Sequence, residues 1–280
     1  MDVLVSTDWL EKELGAPDLR IIDASLFLAA HGRDARAEYE AEHIPGAVFL
    51  DLDEVVDSAN PAPHMLPPEA KFASRMQSLG LGDGSRFVVY DNSPLHSAAR
   101  AWWMLKTFGA HNAAILDGGM QKWKAEGRPV ESGRPHPRHA HFSPLFDGRE
   151  VADKAFVSDI LGDGRHELVD ARSPGRFTGE EAEPRPGLAP GHIPGSKNVP
   201  QGQLFNADNS WKRGDELRAA FDAAGVDLAK PMVATCGSGI TAAVLLFGAK
   251  LLGKDDVMLY DGSWSEWATD PSTPKATGAA

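Results

Sequence analysis

A single cysteine, Cys236, stands in the 280-residue chain. That excludes an internal disulfide framework and fits a reducing, cytoplasmic compartment. Cationic residues are scarce as well: 28 Lys and Arg face 40 Asp and Glu, a formal net charge of −12. A nucleic-acid backbone needs clustered Lys and Arg, so no nucleic acid is expected as a partner, although a small anion can still be held locally. No apolar run approaches the roughly 18 residues of a membrane span, and no basic stretch leading into an apolar one opens the chain. Neither membrane insertion nor export is expected. Metal-binding patterns are missing too. His136, His139 and His141 are closely spaced, but no thiol or carboxylate framework completes a site, so a solvated segment is expected there, with no metal and no organic cofactor. With 42% hydrophobic residues and no long Pro, Gly and Ser tract, the chain reads as globular and longer than one average domain.

What is present is a repeat. Ile21-Ile22-Asp23-Ala24 returns as Leu168-Val169-Asp170-Ala171, and His43-Ile44-Pro45-Gly46 returns as His192-Ile193-Pro194-Gly195. Leu116-Asp117-Gly118-Gly119 through Trp123 likewise matches Tyr260-Asp261-Gly262-Ser263 through Trp267. The offsets stay between 144 and 149 residues, so the copies are collinear and the chain is a duplicated domain. Residues 1–126 form the first copy, 127–148 a linker rich in Pro, His and Arg, and 149–280 the second copy. Within each copy short apolar runs (Ile21 to Asp23, Phe87 to Tyr90, Ala114 to Leu116, and partners near 168, 232 and 257) alternate with helical patterns. The clearest helices are Ala98 to Phe108, Met120 to Glu126, Glu216 to Ala224 and Ala242 to Leu252. This alternation predicts an α/β fold, two tandem domains that each carry a mainly parallel sheet with helices on both faces. The tail from Pro271 to Ala280 is expected to be disordered, and the five tryptophans 102, 103, 123, 264 and 267 to pack in the core.

Cys236 opens Cys236-Gly237-Ser238-Gly239-Ile240-Thr241-Ala242, between the apolar run Pro231 to Thr235 and the helix from Ala242. An isolated cysteine is usually an inert buried hydrophobe. Here two glycines free the backbone to turn its N–H groups inward, Ser238 offers a hydroxyl, and the following helix directs its positive end at the same point. Such surroundings favour a reactive thiolate at the carboxyl end of a strand, where α/β sheets place their active sites. The two copies disagree at this position. Val88-Val89-Tyr90-Asp91 aligns with Val233-Ala234-Thr235-Cys236, and Asp91-Asn92-Ser93-Pro94-Leu95 lacks both glycines. The second copy is therefore the catalytic one.

Taken together, both His-Ile-Pro-Gly elements, both Asp-Gly-Gly/Ser…Trp elements and the Cys236 to Ala242 loop resemble the tandem-domain rhodanese family of sulfurtransferases. The resemblance covers nearly the whole chain. In that family a neutral Cys-Gly-Ser-Gly loop goes with 3-mercaptopyruvate as sulfur donor, whereas basic residues after the cysteine go with thiosulfate. It further implies that Arg176, in Gly175-Arg176-Phe177, and Arg185, in Glu183-Pro184-Arg185, hold the donor's carboxylate and carbonyl, a role suited to the planar guanidinium fork. The competing reading makes them surface arginines that neutralise Glu180, Glu181 and Glu183. Asp53 and His64 resemble the pair that, with Ser238, is assigned to a proton relay; the alternative for Asp51 and Asp53 is a turn after a strand. Gly237, Gly239, Ile240 and Thr241 would surround the sulfur with N–H groups.

The chemistry so implied is attack of Cys236 on the donor sulfur, a Cys236 persulfide, release of pyruvate, and delivery of sulfur to cyanide or a thiol, with thioredoxin-like dithiols as acceptors. Three rivals stand beside it. A thiosulfate:cyanide sulfurtransferase would use the same persulfide, and a non-catalytic carrier would only deliver sulfur loaded by a partner. A cysteine phosphatase would need an arginine about six residues after the nucleophile, where Ala242 stands.

Overall fold

The computed structural model describes residues 1–135 and 137–279, so His136 and Ala280 lie outside the described residues. Two compact units emerge: residues 1–57, 66–147 and 207–210 form the first, and residues 58–65, 148–206 and 211–280 the second.

In the first unit the elements run β1 (Leu4–Val5), α1 (Thr7–Glu13), β2 (Leu19–Asp23), α2 (Ala35–Ala41), β3 (Ala47–Phe49), α3 (Glu69–Ser78), β4 (Arg86–Tyr90), α4 (Ala98–Thr107), β5 (Ala113–Leu116) and α5 (Gly119–Ala125). The second repeats this with β6 (Val151–Ala152), α6 (Lys154–Ile160), β7 (Glu167–Asp170), α7 (Pro174–Thr178), β8 (Lys197–Asn198), α8 (Gly214–Asp222), β9 (Met232–Thr235), α9 (Ala242–Leu251), β10 (Val257–Tyr260) and α10 (Ser263–Thr269). Strand order is β1-β5-β4-β2-β3 in one sheet and β6-β10-β9-β7-β8 in the other. Every pairing is parallel. Register is preserved as well, with Asp23 beside Tyr90 and Asp170 beside Thr235. The α/β reading of both copies holds in the observed architecture.

Burial explains these choices. Val88, Val89, Val233 and Ala234 are at most 1% exposed in the central strands, as continuous apolar runs of a parallel sheet require. Helices α4 and α9 pack on those strands and are buried almost all round, which is why α9 carries no polar face. All five tryptophans named above are buried. Helix starts are fixed locally: the Ser6, Asp34 and Asp153 side chains accept from the N–H groups of Trp9, Ala37 and Phe156.

The His-Ile-Pro-Gly repeats are structural. His43 stacks on Tyr39 at 4.2 Å and His192 on Phe177 at 3.8 Å, and each ring Nδ1 lies within hydrogen-bond distance of that partner's carbonyl. Each histidine backbone also forms an antiparallel bridge, His43 with Glu131 and His192 with Ala276. The second bridge corrects the expectation of a disordered tail. Trp267 Nε1 donates to the Pro274 carbonyl, Gly278 N to Thr178 O, and Thr273 is buried, so the described residues 271–279 are part of the second unit. The expected linker is equally engaged: Asp83 N donates to His141 O, Leu145 N to Phe108 O, and Phe142 is 3% exposed within the first unit.

In the second sheet the chain runs from β7 outward to β8, then returns to β9 and proceeds to β10. The crevice at the carboxyl ends of β7 and β9 is therefore a topological switch point, the usual ligand position in open α/β sheets. Cys236 follows β9 and Arg172 follows β7, and Ala171 N donates to Thr235 O between them.

Candidate active site

Cys236 is 2% exposed at the end of β9. Its loop then turns through Gly237 and Ser238 to Gly239, whose φ of +80° belongs to the left-handed region. Ile240 is buried at 4% exposure, anchoring the turn, and Thr241 leads into α9. The N–H groups of Gly237, Ser238, Ile240 and Thr241 donate to no protein acceptor among the described residues. Together with the open N-terminus of α9 they form a donor-rich rim beside the thiol, a setting that favours an anion.

The first unit supplies an internal comparison. There Asp91 occupies the thiol position, and its carboxylate accepts from Ser93 N at 2.9 Å and Ala98 N at 2.7 Å. Asn92 N and Leu95 N are taken up by serine hydroxyls. One loop thus satisfies its donors with its own acidic side chain, while the other leaves them open. Burial pushes Asp91 up to about 7, against the pull of those N–H groups. An acid whose folded pKa is raised contributes stability that is complete below its unfolded value near 4 and is lost as pH rises through about 7. In urea unfolding, the loss of midpoint between pH 5 and pH 8 is therefore expected to be smaller in Asp91→Asn than in the wild type, and an equal loss would show that Asp91 does not titrate there.

Two side chains converge on the thiol loop. His64 Nδ1 lies 2.8 Å from Ser238 Oγ, and both residues are buried. The segment carrying His64 belongs to the second unit despite its position in the first half of the sequence, and His64 itself holds a φ of +62°, unusual for a residue with a side chain. Arg176, at the end of α7, lies over Gly237 so closely that a Cβ there would stand 2.6 Å from its Nη2. A side chain at 237 would thus have to displace the Arg176 guanidinium.

A buried ion network fixes this arginine. Glu183, with a side chain 4% exposed, accepts from Arg176 Nη2 at 2.6 Å and Nε at 3.2 Å, and from Arg172 Nη1 at 2.6 Å. Arg172 is fully buried, bonds Asp170 through Nε and Nη2, donates to the Gly191 carbonyl, and lies 4.8 Å from the Trp264 ring. Burial works against the Arg172 charge, but Asp170 and Glu183 outweigh it and raise its pKa. The competing reading of the arginines is thus half right, since Arg176 does pair with Glu183. The pairing uses only its Nε and Nη2 side, and Nη1 makes no hydrogen bond among the described residues. The end-on face, formed by Nη1 and the second N–H of Nη2, remains for a carboxylate.

The other expected residues are placed differently. Arg185 is half-buried in the loop between Gly179 and Gly191. Asp53 is exposed in the first unit, where its N–H donates to Asp51 Oδ1, the turn geometry that the alternative reading gave these two aspartates. In the sequence, Asp170 and Ser263 stand out only as members of the repeats, and Arg172 and Ser265 not at all. The Asp-Ala-Arg order at the end of β7 was the available signal for Asp170 and Arg172. Cys236 N donates to Ser263 Oγ at 3.2 Å.

Comparisons with known proteins bear on the family and the fold. The model of the rhodanese-like domain matches residues 6–126 and again 153–270. A Mus musculus protein named 3-mercaptopyruvate sulfurtransferase is 44% identical over 94% of this chain and 91% of its own length. A Cricetulus griseus protein named thiosulfate sulfurtransferase is 42% identical over 94% and 91%. Among solved structures, SseA from Escherichia coli, described as showing the rhodanese fold of 3-mercaptopyruvate sulfotransferases, superposes with a TM-score of 0.87 at 38% identity, covering 95% of this chain and 100% of that one.

Proposed function

The chain belongs to the rhodanese family, and we propose that it is an enzyme that takes sulfur from 3-mercaptopyruvate through a persulfide on Cys236. The observation that carries this reading is the guanidinium of Arg176 held against Gly237, the residue after the only thiol, with its end-on face open. An α-keto acid bound there by its carboxylate presents its far end to Cys236. Arg185, on the next loop, takes the second anchoring role. In the reaction the Cys236 thiolate attacks the donor sulfur, and the carbon–sulfur bond breaks. Its electron pair enters the carbonyl system to give the enolate of pyruvate. The proton leaving the donor's thiol passes by way of Ser238 and His64 to the enolate carbon. The products are pyruvate and a Cys236 persulfide anion, which the N–H groups of Gly237, Ser238, Ile240 and Thr241 hold. Asp53's share in this relay rests on the resemblance alone.

A thiol or cyanide then collects the outer sulfur, with a thioredoxin-like dithiol as the cellular acceptor. A nucleophilic thiol must stay reduced, so a cytoplasmic location is the fitting one. Among the described residues no helix is long and apolar enough to cross a membrane.

Thiosulfate is the second donor to consider, as the hamster relative bears its name. Steady-state kcat/KM for transfer to cyanide decides between them. The neutral loop and the single carboxylate-sized fork predict a clear preference for 3-mercaptopyruvate. Preference for thiosulfate would overturn the donor assignment, and no turnover of either would leave only the sulfur carrier.

A further inference from the structure

The start of α10 grips the thiol loop from behind. Trp264 N donates to Cys236 O at 3.0 Å, Ser265 N to Gly237 O at 2.9 Å, and Ser265 Oγ to the same carbonyl at 2.6 Å. Ser263 Oγ accepts from Cys236 N and donates to Tyr260 O. Ser263 and Ser265 are 0% and 4% exposed, so water does not compete for these bonds. In a trans peptide the C=O of one residue and the N–H of the next point in opposite directions. Binding the carbonyls of Cys236 and Gly237 to α10 therefore turns the N–H groups of Gly237 and Ser238 away from it, to the side where they remain without a protein acceptor.

The first unit shows which of these contacts the fold itself demands. Met120 N donates to Asp91 O at 2.9 Å, the counterpart of the Trp264 bond. The residue matching Ser263 is Gly119, at a φ of +55° where glycine is at ease, and Gln121, which matches Ser265, donates no such bond to Asn92 O. Ser263 holds a φ of +49°, a conformation costly for a residue with a Cβ. A strained serine replaces a comfortable glycine only in the unit that carries the thiol, and its hydroxyl goes to the nucleophile's own N–H.

From this we propose that Ser263 and Ser265 are positioning residues that set the peptide planes of the Cys236 loop so that its N–H groups face the sulfur anion. The proposal rests on the reading of Cys236 as nucleophile. Ser263→Gly separates positioning from folding, because glycine accepts the backbone conformation while the hydroxyl is lost. Its thermal midpoint is expected to equal or exceed that of the wild type. Single-turnover persulfide formation at saturating 3-mercaptopyruvate should slow about tenfold, a fraction of what a whole oxyanion-type donor is worth, with the donor's half-saturation concentration unchanged. Ser265→Ala, which keeps the backbone bond to Gly237, should slow it less. Rates within twofold of the wild type in Ser263→Gly, or a slowing that tracks a lowered midpoint, would overturn the proposal. A Cys236→Ala variant run alongside distinguishes the cause: if it still releases pyruvate from 3-mercaptopyruvate at the wild-type rate, the nucleophile assignment has failed, and the positioning role falls with it.

Discussion

Cys236→Ser is expected to lower sulfur transfer from any donor by at least about 10⁴-fold, since an alkoxide is not accessible to this serine and no other thiol exists in the chain to carry the sulfur. The fold should survive the change. Cys236 sits where backbone bonds to Ser263 and Trp264 already fix the chain, and oxygen is smaller than sulfur, so thermal unfolding should shift only slightly. Loss of activity with an unchanged midpoint is the expected pair of results. Substantial residual turnover would mean that sulfur passes directly from donor to acceptor without the enzyme holding it.

Arg176→Met carries the second large effect. A charge-assisted contact to a carboxylate is worth about 1.5–3 kcal/mol, so KM for 3-mercaptopyruvate should rise roughly 10- to 100-fold. Arg176→Lys keeps the charge but cannot reach Glu183 and the donor with one planar fork, and should fall between the two. Removing Arg176 leaves Glu183 on Arg172, whose bonds to Asp170 are untouched, so the buried charge stays paired and stability should hold. The check is a donor titration of both variants at fixed cyanide. An unchanged KM in Arg176→Met would show that the end-on face is not where the carboxylate sits.

Much of this arrangement is legible in the sequence because it is written twice. Ile21 to Asp23 and Leu168 to Asp170 open with β-branched and apolar residues of the kind buried parallel strands carry, and the helices from Ala98 and Ala242 begin where the patterns change period. The lone thiol stands out because one copy holds Asp91 where the other holds Cys236. Other features depend on contacts that no spacing encodes. Glu183 looks like one of several solvated acids in its loop, and only tertiary packing reveals that it is buried between Arg172 and Arg176. The segment carrying His64 has no periodicity, so its membership in the second unit could not be read from order along the chain. The tail after Pro271 reads as a polar, Pro-containing end, yet its backbone closes against His192 in the same way that Glu131 closes against His43. Ser263 differs from Gly119 by one hydroxymethyl group, a change that gains meaning only once its hydroxyl is seen on Cys236 N.

Persulfide chemistry at Cys236 is tested by the mass of the intact protein after mixing with 3-mercaptopyruvate in the absence of any acceptor or partner protein, with pyruvate measured in the same sample. A product heavier by one sulfur atom is expected, mapped to the peptide containing Cys236, with one pyruvate released per chain and the added sulfur removed by cyanide. Pyruvate release without added mass, or no reaction until a partner protein is supplied, would contradict that chemistry.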